Sequence, residues 1–325
     1  MSGLRIGTRA SALALWQADR VAELVRRQRG APAVEIVHLH TEGDRRTDVP
    51  LWQTGGRAFF TREIDRAVLA GEVDIAVHSL KDLPTALEPG LELAAVLERE
   101  DPRDALIARS GACLEDLPAG ARVGTSSLRR RAFLARARRD LAPSELRGNV
   151  PTRIERLAQG RYDAIILAAA GLKRLGLERH ITAYLPPEQF TPAVSQGAIG
   201  VVSRAGDAHA ARWLGALDHF PTRLATLAER TLLRRVEGGC QVPLGALGSV
   251  AQDRLSLVAS VCALDGSTSL GASGECLLGG DAPAAARLAE QLGERVGAQL
   301  LARGALRIIE RERSAAPDAA LPEPP

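Results

Sequence analysis

"VDIAVHSLKDLP" (73–84) joins an apolar run directly to a polar turn. The run 73–77 reads as a strand, and the turn after it carries Ser79, Lys81 and Asp82. In a doubly wound sheet the carboxyl ends of the strands face the ligand crevice, so these three residues stand where chemistry is usually done. The bland alternative is a solvated turn in which Lys81 and Asp82 merely pair. Rarity argues against it: of 42 basic residues only Lys81 and Lys173 are lysines, so each resists a strong bias towards arginine. Asp82 can then serve as a proton donor or as the counter-charge to a cationic intermediate.

The neighbouring segments fit the same sheet. Upstream, "LRIGT" (4–8) reads as a strand leading to a helix that starts at Ser11, and "AVEIVHLHT" (33–41) as a second strand. Segment 41–57 is polar, glycine-bearing and aperiodic, the profile of a lid or binding loop. A helix over 59–72 and a strand over 91–99 complete a first α/β unit. Residues 100–108 read as a crossover, after which strand, turn and helix restart at "ARVGTSS". Alternation of this kind predicts parallel, doubly wound sheets. "QGAIGVVSRAG" (196–206) reads as a strand returning to the first sheet, which makes that unit discontinuous. Beyond about 217 a helix, three β-rich stretches with glycine turns and a long helix predict a small α+β domain with an antiparallel sheet. The expected division is domain 1 over 1–99 and 196–215, domain 2 over 103–191, domain 3 over 217–311, and a disordered tail over 312–325.

Composition narrows the function. With 46% hydrophobic and 25% charged residues the chain is an ordinary globular protein. It has no apolar run of about 18 residues, so no membrane-spanning helix is expected. The N-terminal stretch is periodic as a helix rather than a leader, and cytoplasmic residence is the expectation. The four cysteines are scattered and the six histidines lack metal spacing, so no metal site is expected; His38 and His40 merely share a strand face. Cys113, Cys262 and Cys276 fit core roles. Cys240, in "EGGCQVPLGA" (237–246), lies between two glycines and Pro243 and so belongs to a presented loop.

Two further junctions point to an anion. "GTSSLRRR" (124–131) sets hydroxyls and arginines at a strand-to-helix turn, where free N–H groups and the helix dipole favour negative charge. "LRGNVPTRIERL" (146–157) repeats the device with Arg147 and Arg153. Arg136, Arg138 and Arg139 read as surface arginines. Nucleic acid is disfavoured by a net charge of only +3 and an aromatic content of 3%. A two-lobed solute-binding or effector-sensing module remains open at this point, though it leaves Cys240 and the third domain unexplained.

Eight ordered blocks, among them "VHSLKDLPT", "VGTSSLRRRAFL", "LRGNVPTRIERL", "PAVSQGAIG" and "EGGCQVPLGA", closely resemble the porphobilinogen deaminases, or hydroxymethylbilane synthases, of tetrapyrrole and heme biosynthesis. The resemblance implies two lobes like those of periplasmic binding proteins plus a third domain, in a monomer. It implies a transferase that condenses four porphobilinogen molecules head to tail with loss of ammonia and then releases a linear hydroxymethylbilane with water. It further implies one dipyrromethane primer per chain, joined by a thioether to Cys240, with Asp82 catalytic. The implied carboxylate-binding set is Arg9, Ser11, Ser79, Lys81, Thr125, Ser127, Arg129, Arg130, Arg147, Arg153 and Arg174. Loss of ammonia would leave an electron-poor azafulvene, whose cation needs a fixed negative neighbour. Two departures stand out. The family's GGKGLF loop reads "GGRAFF", placing Arg57 and Ala58 in the lid, and Ser195 replaces a usual glycine. If that position needs positive φ, the serine costs about 1 kcal/mol.

Overall fold

The computed structural model describes residues 3–39, 41, 61–236 and 242–314. His40, Arg57, Ala58 and Cys240 lie outside them, as does most of the expected lid.

The first sheet has the order β2-β1-β3-β10-β4, from β1 (Leu4–Arg9), β2 (Val34–Leu39), β3 (Ile75–Ser79), β4 (Leu91–Val96) and β10 (Ile199–Arg204). β1 runs parallel to β2 and β3. The returning strand β10 enters between β3 and β4 antiparallel to both, so the sheet is mixed rather than all parallel. A β-bulge in the β10–β4 ladder lies at Val201/Val202. Apolar cores form on both faces. On one, α1 (Ala12–Arg26) packs Ala18, Val21, Ala22 and Val25 against Ile6, Ile75 and Val201. On the other, α2 (Arg62–Leu69) packs Ile64 and Val68 against Ala76 and Val202. A sheet covered twice is what a doubly wound lobe requires.

The second sheet repeats the plan in the order β7-β6-β8-β5-β9: β5 (Asp104–Ala108), β6 (Arg122–Gly124), β7 (Ala142–Ser144), β8 (Ala164–Ala168) and β9 (Ala183–Leu185). Half of the stretch expected as a crossover is thus strand β5, antiparallel to β8 and β9. Its five residues are all buried, and it lies inside the sheet between β8 and β9, where a crossover was expected. α3 (Leu128–Ala137) covers one face through Phe133 and Leu134; α4 (Val150–Ala158) and α5 (Ala169–Arg174) cover the other through Leu157, Ala169 and Leu172.

β10 leads through α6 (Ala208–Leu214) into the third unit. There α7 (Phe220–Arg235) and α8 (Ala282–Ala302) share a core with an antiparallel sheet of β11 (Leu244–Ala251), β12 (Arg254–Cys262) and β13 (Ser269–Leu277). α9 (Ala305–Ser314) adds Ile308 and Ile309 to that core, so helix extends past 312. The mixed α/β class with a separate antiparallel sheet agrees with the sequence reading.

Two side-chain readings change. Cys113 is not in a core: its thiol donates to Asp116 Oδ2 at 2.8 Å on the exposed side of a loop, and that contact pushes its pKa up. Arg136, Arg138 and Arg139 are fasteners. Arg138 donates to the carbonyls of Leu114, Glu115 and Leu117, and Arg136 reaches Gln189 O within its own lobe and Ser269 Oγ of the third unit.

One buried carboxylate ties the third unit to the segments that join the lobes. Buried Glu229, on α7, takes Arg99 Nη1 at 2.5 Å, the Ser195 N–H at 2.5 Å and the Gly248 N–H at 2.7 Å. Arg99 also donates to Gln196 O at 2.8 Å. The two chain segments that connect the lobes lie side by side, Glu100 N donating to Gly197 O at 3.1 Å. Gly197 has φ +92° and a Cβ there would stand 2.2 Å from Glu100 O, so only glycine permits this approach. Ser195 has φ +63°, the left-handed region, and its buried Oγ meets no partner among the described residues.

Candidate anion-binding active site

The polar turn that opened the sequence reading follows β3 as a single 3-10 turn, Leu80–Asp82. Leu80 is buried and anchors the turn, while Lys81 and Asp82 remain half-buried. The preceding strand is braced by two neighbours. His78 Nε2 lies 3.1 Å from Asp65 Oδ1 on α2, both buried. Ser79 Oγ meets the Gln17 side chain of α1, accepting from Nε2 at 2.9 Å. Gln17 is 1% exposed, so the hydroxyl's position is set by a buried amide.

The other expected residues sit at strand ends or on the helices that follow them. Arg9 ends β1, and Ser11 caps α1, accepting the Ala14 N–H at 3.4 Å. Thr125 follows β6 and is buried; its Oγ1 accepts the Ser127 N–H at 3.2 Å, and Ser127 in turn caps α3. Arg147 and Arg153 flank the Asn149 cap of α4, and Arg153 Nε donates to Gly148 O at 2.7 Å. Arg174, at the end of α5, donates to Gly197 O at 2.5 Å and lies over the Trp16 ring at 5.7 Å. Arg9 and Ser11 stand at the strand end beside β3, whereas Lys81, Arg129 and Arg130 converge on shared partners.

Asp104, fully buried at the start of β5, organises that convergence. Arg129 Nη1 reaches its Oδ2 at 2.7 Å, and Arg130 reaches Oδ1 through Nε at 3.0 Å and Nη2 at 2.8 Å. These cations hold its carboxyl far below the ordinary range even though burial opposes ionisation. Gln196 completes the cluster, donating from Nε2 to Asp104 Oδ1 at 2.9 Å and accepting from Lys81 Nζ at 3.4 Å.

The cations outside the Asp104 grip are electrostatically uncomfortable. Desolvation first, then Arg130 and Arg129, lower the Lys81 ammonium to about 8 despite the opposing pull of Asp82 and Asp104. Desolvation, Arg130 and Arg147 lower Arg153 to about 10; desolvation lowers Arg174 to about 10. A set of enclosed cations whose charge is disfavoured by burial and by one another gains most from an incoming anion. Asp82 forms no hydrogen bond and no ion pair with the described residues, so its carboxylate stays available.

Sequence reading passed over Gln17, Asp104 and Gln196. Asp104 lay in a stretch read as a crossover, and the two glutamines act through partners far away in the chain. The one local signal was Gln196 inside the quoted "PAVSQGAIG" block. Among the described residues no group of three or more His, Cys, Asp or Glu could hold a metal, and no helix is long and apolar enough to cross a membrane.

Comparison with known proteins gives the chain its relatives. Residues 4–212 match the family description "Porphobilinogen deaminase, dipyromethane cofactor binding domain" and residues 223–302 match "Porphobilinogen deaminase, C-terminal domain". A curated porphobilinogen deaminase of Pelobacter propionicus is 47% identical over 312 residues, covering 94% of this chain and 96% of that one. Another, of Geobacter metallireducens, is 48% identical over 312 residues, covering 94% and 93%. A solved periplasmic binding protein of Salmonella typhimurium covers 67% of this chain and 92% of its own at 13% identity and a TM-score of 0.38, too slight a likeness to carry an argument.

Proposed function

The chain belongs to the porphobilinogen deaminase family, and on that premise we propose how its own residues carry the reaction. It is a transferase with the activity of a hydroxymethylbilane synthase, using a dipyrromethane cofactor. Four porphobilinogen molecules are joined head to tail, each losing ammonia, and water releases the linear product.

The donor set fits a dipyrromethane. Each pyrrole carries an acetate and a propionate, and the enclosed cations Lys81, Arg130, Arg153 and Arg174 are those an anion would relieve. We assign the covalent attachment to Cys240 through a thioether, and the holding of the carboxylates to these cations with Arg9, Arg129, Arg147, Ser11, Ser79, Thr125 and Ser127. When bound, the group supplies the free pyrrole α-carbon on which the growing chain is extended. Arg57 is assigned to the lid.

Asp82 is the catalytic residue of this reading. As the aminomethyl C–N bond of porphobilinogen breaks, the ring nitrogen gains positive charge, and a fixed carboxylate beside its N–H offsets it. The same carboxylate takes and returns the proton that moves when the new C–C bond forms. The Gln17–Ser79 pair and the buried Leu80 keep the turn in place, so Asp82 pays little reorganisation at the moment of reaction.

The observation that carries this reading is the half-buried Lys81–Asp82 turn meeting the arginine ends of the second lobe. The three sheets support dividing the chain into 1–99 with 196–215, 103–191 and 217–311. Cytoplasmic residence and a monomeric state are part of the proposal, checked by cell fractionation and sedimentation. The central test is intact mass: the purified chain should carry an adduct of two linked pyrrole units, lost in Cys240→Ser. An active protein with an unmodified Cys240 overturns the reading.

A further inference from the structure

Gln196 is 1% exposed and its side-chain amide is used at both ends. The carbonyl oxygen accepts from Lys81 Nζ at 3.4 Å and Arg130 Nη2 at 3.5 Å. The NH2 group donates to Asp104 Oδ1 at 2.9 Å and Pro102 O at 2.8 Å. Turning the amide over would set its N–H groups against two cations and its oxygen against a carboxylate and a carbonyl. All four contacts therefore dictate one orientation. The backbone is pinned as well, with Gln196 O held by Arg99 Nε and Gln196 N donating to Ala193 O.

We propose that Gln196 is a positioning residue: its amide holds the Lys81 ammonium apart from Asp104, so that the lysine charge stays available to a ligand carboxylate instead of being neutralised within the protein. This rests on the reading of Lys81 as a carboxylate-binding group. The charged groups facing Lys81 are Asp82 from its own turn, Asp104 from β5, and Arg129 and Arg130 from α3. Among the described residues no carboxylate oxygen forms an ion pair with Nζ. A direct Lys81–Asp104 pair would cancel the charge, and an apolar residue at 196 would leave the ammonium without its acceptor.

The chain holds only two lysines, Lys81 and Lys173, which makes a direct measurement possible. Reductive methylation of the full chain with 13C-formaldehyde gives two dimethyl-lysine signals, told apart with Lys173→Arg, whose shifts are titrated by NMR. Intact mass confirms that the proteins compared carry the same covalent load. Gln196→Glu puts a carboxylate beside Nζ and should raise the Lys81 midpoint by about one unit or more relative to wild type. Gln196→Met, similar in volume but without an acceptor, should lower it. Shifts of opposite sign are not produced by a packing role. Midpoints that stay at the wild-type value in folded variants overturn the proposal; if Gln196→Glu does not fold beside Asp104, the Gln196→Met midpoint decides alone. Separately, Lys81→Met should raise KM for porphobilinogen more than it lowers kcat. An unchanged KM overturns the underlying carboxylate reading, while the two midpoints still decide whether Gln196 controls Lys81.

Discussion

A lysine held near 8 gives the binding step a pH dependence whose sign follows from its chemistry. The ammonium is charged below its pKa and neutral above it, so attraction for carboxylates falls as pH rises through about 8. KM for porphobilinogen should therefore climb above pH 8, and Lys81→Arg, charged throughout, should remove that climb; steady-state kinetics over pH 6.5–9.5 checks both (a range of about three units centred near the Lys81 value). Asp82→Asn keeps the shape but loses the charge and the proton relay, so kcat should fall by about 10²–10⁴ with a smaller change in KM. Ser195 offers a gain. Its left-handed φ and partnerless Oγ are both relieved by glycine, and Ser195→Gly should add about 1 kcal/mol, read as a higher urea midpoint at unchanged slope.

At the scale of elements, Asp104 joins strand β5 to helix α3. Asp104→Asn leaves Arg129 and Arg130 enclosed without their counter-charge and should cost about 3–5 kcal/mol in denaturant unfolding. The folded-state pKa of Asp104 lies below its unfolded value, so its stabilisation is complete above the unfolded pKa of about 4 and is lost as pH falls towards the folded one. The variant's stability should accordingly decline less steeply in acid than wild type. This element also marks the limit of what was legible. Strand ends declare themselves locally, because an apolar run gives way at once to hydroxyls and charged residues. Ser79, Lys81, Asp82, Ser127 and Arg153 could thus be picked from the sequence and are found at such ends. The direction of β5 cannot be read that way, since five buried residues look alike in either direction and only the crossover sets it. Gln17 and Gln196 were missed for a related reason: an isolated glutamine has no local pattern, and its partners, Ser79 and Asp104, are distant in the chain.

For the whole molecule, Glu229 ties the third unit to the two segments that join the lobes. Glu229→Gln removes the charge that Arg99 faces and weakens the acceptor shared by Ser195 and Gly248. It should cost about 3–5 kcal/mol and split thermal unfolding into two calorimetric transitions, because the third unit keeps its own core while losing its fully buried ionic tie to the lobe connections. A single sharp transition in the variant would show that the cores, not this carboxylate, couple the units. The paired connections between the lobes have one more consequence. Two strips of chain bonded edge to edge, as Glu100 and Gly197 are, share one line, and a swing about that line would disturb their bond less than a slide along it. Any opening about that line would move Arg129, Arg130, Arg147 and Arg153 together as one wall, with Arg9 and the Lys81–Asp82 turn on the other.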